Sequence, residues 1–163
     1  MTAKENLNPD NEIGGATNSV PQPEEIFMQN LRRFLEYTIQ KGAKYDETED
    51  RLIFQGEVLV ESVQIYLREE TEANNRALYD WEIAGEFMFL VFRKNLERFR
   101  GYALLQGAYY NADGHLVYKQ KILTRADDEY LDQSETTRQR LLTDEEIEAA
   151  FLNLVFYAGV DEA

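Results

Sequence analysis

The strongest constraint on how this chain folds is a tight turn followed by a helix cap. Ala112-Asp113-Gly114 stands between residues 102–110 and 115–123, two runs rich in aromatic and β-branched side chains. Asp-Gly supplies the positive φ that a short hairpin needs, so these runs are expected to pair as antiparallel strands. Further on, Thr143-Asp144-Glu145-Glu146 has the spacing of a capping box. The Thr143 hydroxyl can accept from the amide three residues on while Glu146 reaches back to the Thr143 amide. Ile147, Phe151, Leu154, Val155 and Ala158 then form one helical face, and Leu152, Phe156 and Tyr157 widen it. A helix apolar around so much of its circumference is either inserted between layers or shared with another chain.

The rest of the chain is read by periodicity. Pro23 suits a first helical turn, with Glu24 and Glu25 at its positive end. Phe27, Leu31, Phe34, Leu35 and Thr38 line one face of the helix, which ends near Lys41-Gly42. Residues 46–50 read as a turn before an extended Leu52-Ile53-Phe54. Residues 57–67 alternate in a strand-like manner, although Leu59, Val60, Val63, Tyr66 and Leu67 also fit a helix. Residues 69–76 are a polar connection. Tyr79, Trp81 and Ile83 alternate with Asp80 and Glu82 as a half-buried strand. From Phe87 to Phe99 the pattern serves strand or helix, and helix is preferred because Arg93 to Arg98 carry no turn signal before Gly101. Residues 125–142 read as an acidic loop. No internal repeat is evident in this order of elements.

The expected fold class is therefore α+β, an antiparallel sheet with an N-terminal, a middle and a C-terminal helix. A chain of 163 residues closes one core more readily than two. Residues 1–24 read as a disordered tail, 25–159 as the single domain and 160–163 as a C-terminal tail.

Charge and composition narrow the function. With 17 basic and 31 acidic side chains the net charge is −14, a field that repels nucleic-acid phosphates and anionic lipid. Residues 124–163 hold 11 acidic against 3 basic side chains, so −8 of that charge lies at one end, suited to basic partners or to solubility alone. Zero cysteines exclude disulfides, thiolate metal sites and Cys nucleophiles. The N-terminus lacks the apolar core of a secretory signal and no apolar run approaches the roughly 20 residues of a membrane span, so a cytoplasmic protein is expected.

Candidate chemistry is sparse. His115 is the only histidine; it could act as a base or ligand beside Asn111 and Asp113, but it reads as an exposed turn-flanking residue. Asp127-Asp128-Glu129 could touch a divalent cation, yet loop carboxylates on so acidic a chain are commonly solvated. No GxSxG, P-loop or GxGxxG motif is present. No catalytic, cofactor-binding or metal residue is therefore assigned, and no enzyme activity or cofactor is expected. The basic cluster Arg93, Lys94, Arg98 and Arg100 either holds an anion or pairs with the protein's own carboxylates. Phe87, Phe92, Leu96, Phe99, Leu152, Phe156 and Tyr157 are the candidates for a partner or dimer interface.

Three stretches carry a family likeness. Phe92-Arg93-Lys94-Asn95-Leu96-Glu97-Arg98-Phe99, Tyr109-Tyr110-Asn111-Ala112-Asp113-Gly114-His115-Leu116-Val117 and Leu142-Thr143-Asp144-Glu145-Glu146-Ile147 follow one another as an Asn-containing helix, an acidic-Gly hairpin and a Thr-Glu-Glu helix start. This order resembles the YbjN family of bacterial regulators and, more broadly, the type III secretion chaperone-like fold, over roughly residues 25–159. The resemblance implies a small, acidic, non-enzymatic protein that forms a homodimer and holds a segment of another polypeptide. Two other readings stand beside it: an acidic nucleic-acid mimic that blocks a DNA-binding protein, and a small-ligand binder or enzyme of the NTF2-like kind.

Overall fold

The computed structural model describes residues 22–71, 75–157 and 160–161. Helix α1 (Pro23–Gln40) opens with the Gln22 amide donating to Glu25 Oε1 at 2.9 Å, and ends where Gly42 takes φ 105°. Three antiparallel strands follow, β1 (Lys44–Asp46), β2 (Arg51–Phe54) and β3 (Glu57–Val60), in the order β1-β2-β3. Helix α2 (Val63–Thr71) leads to the long helix α3 (Asp80–Leu105). A second sheet, β4-β5-β6-β7, is built from β4 (Tyr109–Tyr110), β5 (Leu116–Tyr118), β6 (Lys121–Thr124) and the terminal β7 (Val160–Asp161). Between β6 and β7 lie the short helices α4 (Asp127–Leu131) and α5 (Thr136–Gln139) and the capped helix α6 (Asp144–Tyr157). The chain is thus α+β with antiparallel pairing throughout, divided between two sheets rather than gathered in one.

The division follows from an internal repeat, which the reading of element order alone misses. Phe27, Asn30, Leu31, Arg33 and Phe34 of α1 recur as Phe92, Asn95, Leu96, Arg98 and Phe99 of α3, a spacing of 65 residues. Gly42-Ala43 recurs as Gly107-Ala108, and both glycines have positive φ. At a spacing of 64, Leu52, Leu59 and Tyr66-Leu67 recur as Leu116, Leu123 and Tyr130-Leu131. Ile83, Phe87 and Leu90-Val91-Phe92 recur in α6 as Ile147, Phe151 and Leu154-Val155-Phe156. The hairpin loop is one residue shorter in the second unit, which accounts for the change of spacing. Most matching residues are separated by unlike ones, and the longest unbroken match, Leu90-Val91-Phe92 with Leu154-Val155-Phe156, is only three residues long, so the repetition does not stand out in the sequence.

Helix α3 belongs to both units. Its first half places Ile83, Phe87, Leu90 and Val91 in a core with Phe27, Phe34, Leu52 and Leu67. Its second half places Phe92, Phe99 and Ala103 in another with Leu116, Leu123, Ile147, Phe151 and Leu154. Each fully buried Phe or Leu contributes roughly 1.5–3 kcal/mol, so either half of α3 is anchored on its own. Each unit is closed by the start of the next unit's helix, as repeats that stack serially are.

Local hydrogen bonds and turns move several element boundaries from where the sequence pattern places them. The alternation at Tyr79, Trp81 and Ile83 is the first turn of α3, because the Tyr79 amide donates to Glu82 Oε1 at 2.8 Å and caps a helix there. Residues 57–67 split after Val60: the Gln64 amide donates to Asp50 Oδ2 at 3.1 Å and starts α2. Gly101 lies inside α3, which continues to Leu105, so little of the strand expected from 102 remains. Residues 115–123 fold back at Lys119-Gln120, both with positive φ, into β5 and β6. The expected loop 125–142 carries α4 and α5. Val160 and Asp161 pair with β6 instead of forming a tail. Of the N-terminal tail, residues 1–21 lie outside the described residues, while Pro23 and Glu24 belong to α1.

Candidate functional site

The junctions between units hold most of the conspicuous polar side chains. Asn30, 1% exposed, donates from Nδ2 to the Arg76 carbonyl at 2.8 Å and accepts from the Leu78 amide at 3.0 Å. Asn95, fully buried, donates to the Thr137 and Arg140 carbonyls and accepts from the Leu142 amide at 2.8 Å. Arg33 bonds the Leu78 carbonyl and Asp80, and Arg98 repeats the pattern on the Leu142 carbonyl and Asp144. Arg76 grips Glu82 with both terminal nitrogens, and Arg140 grips Glu146 in the same way. These pairs, joined by the backbone amides of Tyr79 and Thr143, hold the Glu82 and Glu146 carboxyls down at about 2. The capping box expected at Thr143 is formed, with Thr143 N–H to Glu146 Oε1 at 2.8 Å and Glu146 N–H to Thr143 Oγ1 at 3.1 Å.

The basic cluster is dispersed among such contacts. Arg98 serves the second junction. Lys94 meets Glu97 at 3.2 Å. Arg100 forks onto Asp127 at 2.8 and 2.9 Å, and Tyr110 donates its hydroxyl to the same carboxylate. Asp127 is therefore a buried ion-pair partner and not a solvated loop carboxylate; burial pushes its carboxyl up, but Arg100 and Tyr110 together hold it below the usual value. Arg93 is exposed, reaches the Leu59 carbonyl at 3.4 Å and stacks near Tyr66 and Phe89. Among the described residues no group of three or more His, Asp or Glu side chains is placed to hold a metal ion. His115 is half-buried rather than exposed, and its Nδ1 is buried without a hydrogen-bond partner. Asn111 Oδ1 accepts from the Asp113 and His115 amides, which makes that side chain part of the turn.

The interface candidates separate into two groups. Phe87, Phe92 and Phe99 are 3%, 7% and 0% exposed, so they are core residues and do not form a seam; Leu96 is half-buried. Leu152, Phe156 and Tyr157 are exposed, with Phe156 at 71%. The repeat makes this exposure informative. Phe27, Phe92 and Phe156 occupy the same position in three helices. The Arg68 guanidinium lies 3.7 Å from the Phe27 ring centre and that of Arg138 lies 4.8 Å from Phe92. Phe156 meets the edge of Tyr157 instead. Beside it a hollow of about 360 Å³ has an apolar floor of Tyr118, Leu123, Phe151, Val155 and Phe156 and a rim that includes Lys119 and Lys121. Sequence reasoning finds the excess of apolar residues on α6 but not the repeat that explains which of them is left uncovered.

A second hollow, about 720 Å³, lies between β3 and the middle of α3. Val58, Leu59 and Val60 form one wall, and Arg93, Leu96 and Arg100 lie on the other. No helix among the described residues is long and apolar enough to cross a membrane. No family model matches the chain, and neither a curated protein nor a solved structure matches it.

Proposed function

We propose that this protein is a non-enzymatic binding module that pairs with a second copy of itself through helix α6 and holds a segment of a partner polypeptide. The observation that carries the reading is Phe156. Its counterparts Phe27 and Phe92 are buried beneath an arginine, whereas Phe156 leaves most of its ring in water above an apolar hollow. Covering a ring of that size contributes about 1.5–3 kcal/mol, and Leu152 and Tyr157 extend the patch. The lysines on its rim set a polar boundary around an apolar centre, the arrangement of a protein interface rather than of a reaction site.

The reading is tested by replacing Phe156 with a photoreactive benzoyl-phenylalanine and irradiating in the cell of origin. A discrete adduct of two copies of the chain is expected, and an adduct formed only with a different polypeptide contradicts pairing through α6. The same probe at the exposed hairpin residue Glu47 is expected to give none. Equal labelling at both positions, or none at 156, contradicts the proposal.

A further inference from the structure

We propose that the outer edge of β3 is the place where a partner polypeptide is held, by antiparallel addition of one extended strand. This inference rests on the reading as a protein-binding module but uses a different surface from helix α6.

The two sheets differ at their equivalent edges. Strand β6 is the counterpart of β3 in the repeat, Lys121 and Ile122 standing where Glu57 and Val58 stand. The outer edge of β6 is already occupied: β7 pairs with it antiparallel, Asp161 opposite Lys121 and Val160 opposite Ile122. In the first sheet β3 is an edge strand, paired with β2 on one side, and among the described residues no strand pairs with its other side. The hollow lined by Val58, Leu59 and Val60 adjoins this strand, with Glu61 and Glu97 beside Arg93, Lys94 and Arg100 on its lining.

The backbone of β3 is turned for such pairing. Gln55-Gly56 is a two-residue turn, so Phe54 and Glu57 form the hydrogen-bonded pair that flanks it, and Ile53 and Val58 form the next, non-hydrogen-bonded pair. The Val58 amide and carbonyl therefore point away from β2, as those of Ile122 do toward β7. The edge is short and bounded by Glu57 and Glu61, which limits it to a brief, specific ladder.

Charge selects the occupant. Lys121 approaches Asp161 at 3.8 Å across the β6–β7 pair. The equivalent position in β3 is Glu57, so the incoming strand carries Lys or Arg there, next to an apolar or β-branched residue opposite Val58. A second copy's Val160-Asp161 would set Asp161 against Glu57, like charges face to face. A second copy's terminal strand is thus mismatched, and the proposed occupant is an extended segment of a different polypeptide with a basic residue at that position, bound through main-chain bonds with side chains giving selectivity.

The test uses the full chain and an octapeptide, Ser-Thr-Val-Thr-Val-Lys-Thr-Ser, blocked at both ends and added to millimolar concentration. Hydrogen exchange followed by NMR is expected to slow at the Val58 amide by about tenfold as that amide enters a ladder bond. The same peptide with N-methylated valines is expected to leave Val58 unchanged. Val58→Pro removes the outward donor without touching the bonds to β2, so it is expected to keep the native circular dichroism and lose peptide binding. Glu57→Lys is expected to reverse a preference of about threefold for the Lys peptide over its Asp analogue. Unchanged exchange at Val58, binding retained by Val58→Pro, or binding by the N-methylated peptide overturns the edge site. Because the readout sits at Val58, the edge can fail while labelling at Phe156 succeeds, and the reverse pattern is equally visible.

Discussion

The two units of this protein solve the same packing problem with different chemistry. At one position the first unit buries Val63, fully enclosed, with Leu35 packed on the same core. At the equivalent positions the second unit sets Asp127 against Arg100 and adds the Tyr110 hydroxyl. Tyr45, the counterpart of Tyr110, donates to Asp50 instead, and burial together with that carboxylate raises its hydroxyl to about 12. A second divergence lies at α2 and α4. Tyr66 donates to the Glu86 side chain, while Tyr130 donates to the backbone carbonyl of Ala150, the equivalent position. The geometry of a unit therefore does not depend on any one of these polar contacts. What both units retain is the Asn, Arg and Arg-Glu junction, which marks the junction as the part that the architecture requires.

The largest expected effect tests that requirement. Asn95→Leu leaves the Thr137 and Arg140 carbonyls and the Leu142 amide without their partner, at a cost of about 3–4 kcal/mol in urea unfolding. Asn30→Leu is expected to cost a similar amount. A loss below about 1 kcal/mol at either site would mean that the junction is dispensable.

Next comes the pair that differs between units. Arg100→Leu alone strands the buried Asp127 and is expected to cost about 3 kcal/mol, the low end for a broken buried pair because solvent reaches Arg100. Arg100→Leu with Asp127→Val and Tyr110→Phe copies much of the apolar solution of the first unit and is expected to return to within about 1 kcal/mol of the native protein. If the triple variant is no more stable than the single one, the two units are not interchangeable in this respect.

A smaller effect is expected with acid. The Glu82 and Glu146 carboxyls lie at about 2 in the folded protein against an ordinary 4.5. The stability they supply is complete above pH 4.5 and drains as the pH falls toward 2. Asp127, also lowered, acts in the same direction. A melting temperature measured from pH 6 downward is expected to hold until about pH 4.5 and then decline, more shallowly in Arg140→Gln. The smallest effect belongs to His115→Ala, which removes an imidazole whose Nδ1 has no partner and is expected to change stability by less than about 1 kcal/mol.

What was legible in the sequence follows from the range over which each signal acts. The capping box at Thr143, the Asn111 to Gly114 turn, the start of α1 at Pro23 and the helix through Phe87 to Phe99 all have local causes, and each is present. The strand expected at Tyr79, Trp81 and Ile83 failed because Glu82, three residues along, caps a helix, and period-two alternation over so few residues is outweighed by that cap. The ion pair between Arg100 and Asp127 spans 27 residues and is invisible to local pattern. The exposed Leu152, Phe156 and Tyr157 were legible as an excess of apolar surface. That Phe87, Phe92 and Phe99 are interior became clear only once α3 was seen to join two cores.

Helix α6 repeats the first half of α3 but leaves Phe156 exposed, and the proposed cover is a second copy of the chain. Sedimentation equilibrium at micromolar concentration tests it directly. A species of twice 19.0 kDa is expected for the native chain, and a folded 19.0 kDa species for Phe156→Asp. A native chain that sediments as a soluble monomer, or a Phe156→Asp variant that unfolds instead of dissociating, would contradict it.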